Sequence, residues 1–250
     1  MNNAAASLPL MLKQLRLSVV RTHWETVAEK ALNEHWSPPQ YLAELCHMEL
    51  ANREDKRLNR YLKESTLPSG KQLGNFDFDA VEGVSQPQIK ALIESPAWVK
   101  TGDNLLLFGA SGIGKTHLAS SIGYGLVEAG LRVKFSSASS LVQHLQKAKQ
   151  GFRLEDALLK LDKYAVLILD DIGYIRKTDQ ETSVLFELIA HRYERKSLVI
   201  TANQSFEDWD ELFDDTVMTV AAIDRLVHHA KILQCKGESY RRKTMLKTRD

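Results

Sequence analysis

The chain predicts an α/β protein: a parallel five-stranded sheet flanked by helices, preceded by a small all-helical N-terminal domain. Three observations point there. Residues 109–116 read Gly-Ala-Ser-Gly-Ile-Gly-Lys-Thr, the pattern G-x-x-x-x-G-K-[ST]. An apolar run precedes it and a helical periodicity follows it, the strand–loop–helix context in which that pattern has a mechanism. From about residue 76 onward, short apolar runs alternate with helix-period segments, as in a mostly parallel sheet. Before that point the periodicity is helical throughout.

Taken in order, residues 10 to about 64 predict helices. Leu12, Leu15, Val19 and Val20 open a segment that runs toward Leu32. Ser37-Pro38 is a helix start, with Ser as N-cap and Pro at the first position. Leu42, Leu45 and Met48 share one face, and a mostly charged stretch follows in which only Leu58 and Leu62 keep the spacing. Leu67-Pro68-Ser69-Gly70 breaks the helix and reads as a linker, so the boundary is placed there: a helical domain over 1–68 and an α/β domain over 69–250. The expected strands are 104–108, 132–136, 164–169, 197–202 and 230–235. One helix follows the loop through Leu118, Ile122 and Leu126, another carries Leu141, Val142 and Leu145, and a third spans 180–195 with an apolar stripe of Val184, Leu185, Leu188, Ile189 and Tyr193.

Composition narrows the function classes. With 250 residues and 44% hydrophobic residues, the chain can bury a core and does not read as disordered. Lys and Arg total 33 against 32 acidic residues, so any nucleic-acid site must come from local arrangement. Cys46 and Cys235 suggest neither a disulfide framework nor a metal cluster. No signal peptide or spanning segment is expected, which makes a cytoplasmic protein the default.

The loop predicts a nucleoside triphosphate site. Average residue usage puts an accidental match at about one per cent for a chain of this length. Gly109, Gly112 and Gly114 let the backbone approach the phosphates, and the N–H groups of Ala110, Ser111, Ile113 and their neighbours, through His117 at the helix start, would hold the anionic oxygens. Lys115 is expected at the β- and γ-phosphates and the Thr116 hydroxyl on Mg²⁺. The run Tyr164-Ala165-Val166-Leu167-Ile168-Leu169 ends in Asp170-Asp171. Burial accounts for the apolar part of this run, but not for two carboxylates at the strand tip where ligands of open α/β sheets bind. Asp170 would orient Mg²⁺ and Asp171 would act as general base, unless Asp171 only caps the turn before Gly173. Asn203, at the tip of the next strand, is either a γ-phosphate contact or a turn residue. Arg225, near the start of the last strand region, is either a surface ion-pair partner or a finger reaching a neighbouring subunit.

The segments Gly-Ile-Gly-Lys-Thr-His-Leu-Ala, Leu-Asp-Asp-Ile-Gly-Tyr, Leu-Phe-Glu-Leu-Ile-Ala-His-Arg-Tyr-Glu, Thr-Ala-Asn, Asp-Arg-Leu-Val-His-His-Ala and Gly-Glu-Ser-Tyr-Arg strongly resemble the IstB family. Its members are ATP-binding helpers of bacterial insertion sequences. They are AAA+ P-loop NTPases close to the helicase loader DnaC. The resemblance runs from about Glu49 to Arg242. It implies ATP and Mg²⁺ as ligands, with Walker A at Gly109–Thr116, Walker B at Asp170 and Asp171, Asn203 as sensor of the γ-phosphate, and Arg225 as a finger acting in trans within a homo-oligomer. It implies double-stranded DNA and a transposase as partners, with a helicase loader as the alternative. Asp171 departs from the family, which usually carries Glu there, and Arg241 has no assigned role. Arg53, Arg57 and Arg60, flanked by Lys56 and Lys63, share a helix face that either contacts DNA phosphates or is a solvated face paired to Glu49, Glu54 and Asp55. A small-molecule kinase would need an acceptor segment, and a GTPase an Asn-Lys-x-Asp motif; neither is found.

Overall fold

The computed structural model describes residues 4–174, 179–204 and 216–240. The basic end from Arg241 to Arg249 lies outside them. Contacts divide the chain into two compact units, Met1–Arg60 and Tyr61–Asp250, the division falling within a long helix.

The first unit is helical. Helices α1 (Ala4–Gln14), α2 (Ser18–Asn33) and the start of α3 (Pro38–Ser65) enclose Leu12, Val20, Val27 and Leu45, with Trp24, Trp36 and Tyr41 packed against them. At the start of α3, Gln40 Oε1 accepts the Ser37 N–H at 2.7 Å, half of a capping box, and Pro38 occupies the first helical position. The start of α2 is capped from a distance. Buried Glu49 accepts the Val19 N–H at 2.8 Å and also takes Arg53 Nε at 3.1 Å. Burial works against ionisation of this carboxyl, but the Val19 N–H, Arg53 and the Val20 N–H outweigh it and hold its pKa below the ordinary value of 4.5.

The second unit is a three-layer α/β/α sandwich. Short helices α4 (Gln86–Glu94) and α5 (Ala97–Thr101) lead to β1 (Asn104–Phe108), α6 (Lys115–Glu128) and β2 (Val133–Ser137). Two helices, α7 (Ala138–Gln150) and α8 (Leu154–Leu161), fill the crossover to β3 (Val166–Asp170). Then come α9 (Asp179–Arg192), β4 (Ser197–Ala202), α10 (Thr216–Val227) and β5 (Ala230–Gln234). The strand order is β2-β3-β4-β1-β5, and all pairs are parallel. Alternation within β1 sends Leu105 and Leu107 to the α4–α6 layer and Leu106 and Phe108 to the α7–α10 layer.

All five expected strands are present, with ends shifted by no more than two residues. The 67–70 segment is irregular but does not hang free. Tyr124 on α6 donates to the Pro68 carbonyl at 3.1 Å, and Leu67 packs over Gly123, where a Cβ would lie 2.8 Å from its Cδ2. Arg225 lies in the last turn of α10, just before β5. No helix among the described residues is long and apolar enough to cross a membrane.

Candidate functional site

The strand order places a topological switch beside β1. The chain leaves β1 for the far edge at β2 and returns to β1's other side as β5, so the carboxyl ends of β1, β4 and β3 border an open crevice. The 109–116 loop fills the mouth of this crevice between β1 and α6. Gly109 has φ +150°, and a Cβ there would lie 2.3 Å from the Cys235 carbonyl oxygen at the end of β5. Gly114 has φ +107°, and a Cβ there would lie 2.8 Å from the Phe76 ring. Both positions are therefore closed to side chains by neighbouring atoms as well as by backbone torsion.

Lys115 is buried and its ammonium donates to the carbonyls of Gly109 at 2.8 Å and Ala110 at 2.9 Å, and to Asn203 Oδ1 at 2.6 Å. The other end of the Asn203 amide donates to Asp171 Oδ1 at 3.1 Å. A second chain runs in parallel: Thr116 Oγ1 donates to Asp170 Oδ2 at 3.0 Å, and Thr201 Oγ1 donates to Asp170 Oδ1 at 2.7 Å. The same Thr201 oxygen accepts the Asp171 N–H at 2.8 Å. The structure thus brings together Lys115, Thr116, Asp170, Asp171 and Asn203, side chains drawn from three elements and from the ends of two strands. Thr201, fully buried, sets the position of both acids and is the residue that sequence reasoning passed over.

Asp171 has φ +59°, the left-handed region. Asp and Asn tolerate it better than longer acids because their short side chains can bond locally. This backbone supplies a physical reason for Asp rather than Glu at position 171.

A cavity of about 360 Å³ opens over the loop, within the size range of small-ligand sites. Ser111, Gly112, Ile113, Gly114, Lys115, Thr116 and His117 line it with Asp171 and Asn203, while Gly109 and Ala110 serve from behind through the carbonyls that hold Lys115. Ile113 is buried in the core, so it offers the site its backbone only. His117 Nε2 lies 3.1 Å from the Gln72 carbonyl, and its ring meets Phe76 edge-on at 5.2 Å. Phe76 in turn meets Phe78 at 4.8 Å, forming an aromatic wall. Tyr240, beyond β5, closes another side, its N–H donating to the Gly112 carbonyl at 3.0 Å. Beneath the loop, burial pushes the Cys235 thiol up to about 11, only partly offset by the nearby Lys115 charge, so it is an inert packing group at neutral pH.

Arg225 does not join this site within one chain. Its Nη1 donates to the Ala221 carbonyl at 3.0 Å, and its guanidinium lies 5.4 Å from the Phe186 ring. Arg53, Lys56, Arg57, Arg60 and Lys63 are all exposed on α3. Arg53 is held by Glu49 and the Arg16 carbonyl, and Arg57 pairs with Glu54.

The IstB-like ATP-binding protein family model matches residues 10–248. An insertion sequence ATP-binding protein of Sinorhizobium fredii is 48% identical over 98% of this chain and 82% of its own length. The insertion sequence IS21 ATP-binding protein of Pseudomonas aeruginosa is 38% identical over 94% of this chain and 89% of its own. Among solved structures, the DnaC helicase loader matches with TM-score 0.53 and 23% identity over 71% of this chain and 99% of its own. AMPPCP-bound DnaA from Aquifex aeolicus matches with TM-score 0.57 and 19% identity, over 74% of this chain and 55% of its own. These two likenesses show the fold, an AAA+ P-loop sandwich. The bonded Walker residues, that fold and the near full-length match lead to one assignment: the chain belongs to the IstB-like ATP-binding protein family.

Proposed function

We propose that the chain is an ATP-dependent, DNA-binding AAA+ ATPase of the bacterial cytoplasm that assembles on target duplex DNA and there recruits and regulates a transposase. Residues 69–250 would form the ATPase part, and residues 1–68 the part that meets DNA or a partner. The observation that carries the enzymatic half is the bonded chain Lys115–Asn203–Asp171 beside the loop. One amide touches both the phosphate-reading cation and the general-base carboxylate. Arrival of a γ-phosphate would compete with Asn203 Oδ1 for the Lys115 ammonium, and the freed amide would change its hold on Asp171. Asn203 would in that way report the nucleotide to the base.

The oxygen donors Thr116 Oγ1 and Asp170 Oδ2, 3.0 Å apart, suit a hard cation such as Mg²⁺. When bound, Mg²⁺ would neutralise charge on the phosphate oxygens. Asp171 would accept the proton of the attacking water, held in place by Asn203 Nδ2 and by its backbone bond to Thr201. Arg225, outside its own chain's site, would serve the site of a neighbouring copy, where its charge stabilises the transition state.

The DNA half draws on the relatives' association with insertion sequences and on the exposed cations of α3, which would contact phosphates through Lys56, Arg57, Arg60 and Lys63, with Arg53 mainly fixing the helix through Glu49. The test is the affinity for random-sequence duplex DNA with and without ATP across a salt series, for wild type and Lys115→Ala. The reading expects ATP-dependent, salt-sensitive binding that the substitution removes. No duplex binding in either nucleotide state would sink it and favour a helicase-loader role for residues 1–68.

A further inference from the structure

Two of the segments that carry the family resemblance include residues that nucleotide chemistry leaves unused. They are Tyr193-Glu194, just after α9, and His228-His229, between α10 and β5. Because the strands are parallel, both turns lie at the amino ends of β4 and β5, away from the carboxyl ends that border the phosphate-loop crevice.

The fold fixes both turns. Buried Asn104, at the entry of β1, donates from Nδ2 to the Leu226 carbonyl at 3.1 Å, and its N–H donates to the His229 carbonyl at 3.2 Å. Its Oδ1 accepts the Leu198 N–H at 2.9 Å, which ties the start of β4 to the same residue. Glu194 takes a left-handed backbone, φ +54°, and a Cβ at Gly102 would lie 2.9 Å from the Glu194 carbonyl carbon. Its turn is therefore packed closely against the approach to β1.

These turns bring three ligating side chains together. One donor atom from each of Glu194, His228 and His229 lies within 4.8 Å of the other two, and all three residues are exposed. His229 Nε2 stands 3.3 Å from Glu194 Oε1. Ligands about 2.0–2.1 Å from a tetrahedral ion are themselves roughly 3.4 Å apart, so this pair already has the spacing. The two imidazole centres are 4.0 Å apart, and the Tyr193 hydroxyl lies 2.8 Å from His228 Nδ1. A hydrogen bond at one ring nitrogen is what orients an imidazole that binds metal through the other. An ion pair of Glu194 with one imidazolium accounts for the 3.3 Å contact but not for a second imidazole beside it, since two charged rings repel. Two imidazole nitrogens and a carboxylate oxygen suit a borderline ion such as Zn²⁺, whereas Mg²⁺ and Ca²⁺ prefer oxygen alone.

We propose that Glu194, His228 and His229 form a transition-metal site of Zn²⁺ type, with water in the fourth position. The metal would tie the end of α9 to the end of α10, the helix whose last turn carries Arg225. It requires neither DNA nor a second copy, so it goes beyond the reading above and stands or falls without it.

The test uses the full chain, stripped of metal by a chelator and then titrated with Zn²⁺ in excess Mg²⁺ without nucleotide. Equilibrium dialysis counts the metal bound per chain. Visible absorption of the Co²⁺ form reports coordination, and thermal melting without metal is the control for folding. Wild type should hold one Zn²⁺ per chain, show the strong bands of four-coordinate Co²⁺, and melt higher with Zn²⁺ than without it. Glu194→Gln and His229→Ala should melt like wild type without metal. Each should lose more affinity than the about 10–100-fold that removal of an outer partner costs, while Tyr193→Phe should lose about tenfold. Wild type that takes up no Zn²⁺, or shows the weak bands of six-coordinate Co²⁺, would overturn the site whatever the variants do. Glu194→Gln and His229→Ala proteins that bind Zn²⁺ as wild type does would overturn it too, and assign the uptake to other histidines.

Discussion

At the residue scale, the site is a set of short bonds that each side chain makes with a different element. Asp171 shows what that arrangement demands. Its left-handed backbone, its N–H bond to Thr201 and its bond from Asn203 hold one carboxylate against the loop. Asn tolerates the same backbone, so Asp171→Asn should fold normally and bind ATP with unchanged affinity. Its turnover should fall by about 10²–10⁴-fold, because the proton acceptor is gone while the binding groups remain. Single-turnover hydrolysis beside an equilibrium ATP titration checks this; hydrolysis at the wild-type rate would remove Asp171 from the base role.

Phosphate loop, paired acids and Asn203 were legible because each is a short pattern at a strand tip. Thr201 was not: a Thr inside an apolar strand reads as β-propensity, and its two bonds exist only once β3 and β4 are paired. Tyr240 was equally hidden, since its bond to Gly112 depends on where the chain goes after β5.

At the element scale, the buried parallel strands announced themselves as continuous apolar runs, and α6, α7 and α9 as stripes. Helices α4, α5 and α8 did not, being 9, 5 and 8 residues long. Of these, α4 carried a start signal in Ser85 followed by Pro87, with the Ser85 Oγ accepting the Gln88 N–H at 3.4 Å. Arg192 was a missed signal of another kind, a cation in register with the apolar stripe of Leu185, Leu188 and Ile189. It is fully buried, and burial brings its pKa down to about 10, against the pull of Asp162. Its guanidinium donates to the carbonyls of Leu161, Tyr164, Ala165 and Ser197, tying the end of α8 to the entries of β3 and β4. Arg192→Ala would remove all four bonds, leaving the Leu161 and Ala165 carbonyls only the N–H groups of Tyr164 and Ser197, and should cost about 3 kcal/mol in a urea melt.

Glu49 does the same work for α2. Its lowered pKa means the native state binds this proton less tightly than the unfolded chain. The stability it contributes is therefore complete above about 4.5 and is lost as pH falls through the depressed native value. Glu49→Gln should lower stability at pH 7 by about 1–2 kcal/mol and flatten the acid limb of the pH–stability curve. An acid limb unchanged by the substitution would place that titration elsewhere.

At the scale of the whole molecule, the placement of Arg225 matters most. It rests on Phe186 within its own chain, so its proposed catalytic use needs a second copy. Mixing Arg225→Ala with Asp171→Asn subunits should restore up to about a quarter of the wild-type ATP turnover per interface, the share in which a random mixture pairs an intact base with an intact finger. Each variant alone should be nearly inactive. No recovery in mixed particles shown to form would exclude catalysis across the interface.

The central claim of the proposed function is that ATP, held through Lys115, is required for assembly on duplex DNA. Sedimentation velocity on random-sequence duplex, with and without ATP, tests it most directly when wild type is run beside Lys115→Ala. Large particles that need both ATP and DNA, and that the Lys115→Ala protein does not form, are the predicted result. Particles of the same size without ATP, or with the Lys115→Ala protein, would contradict it.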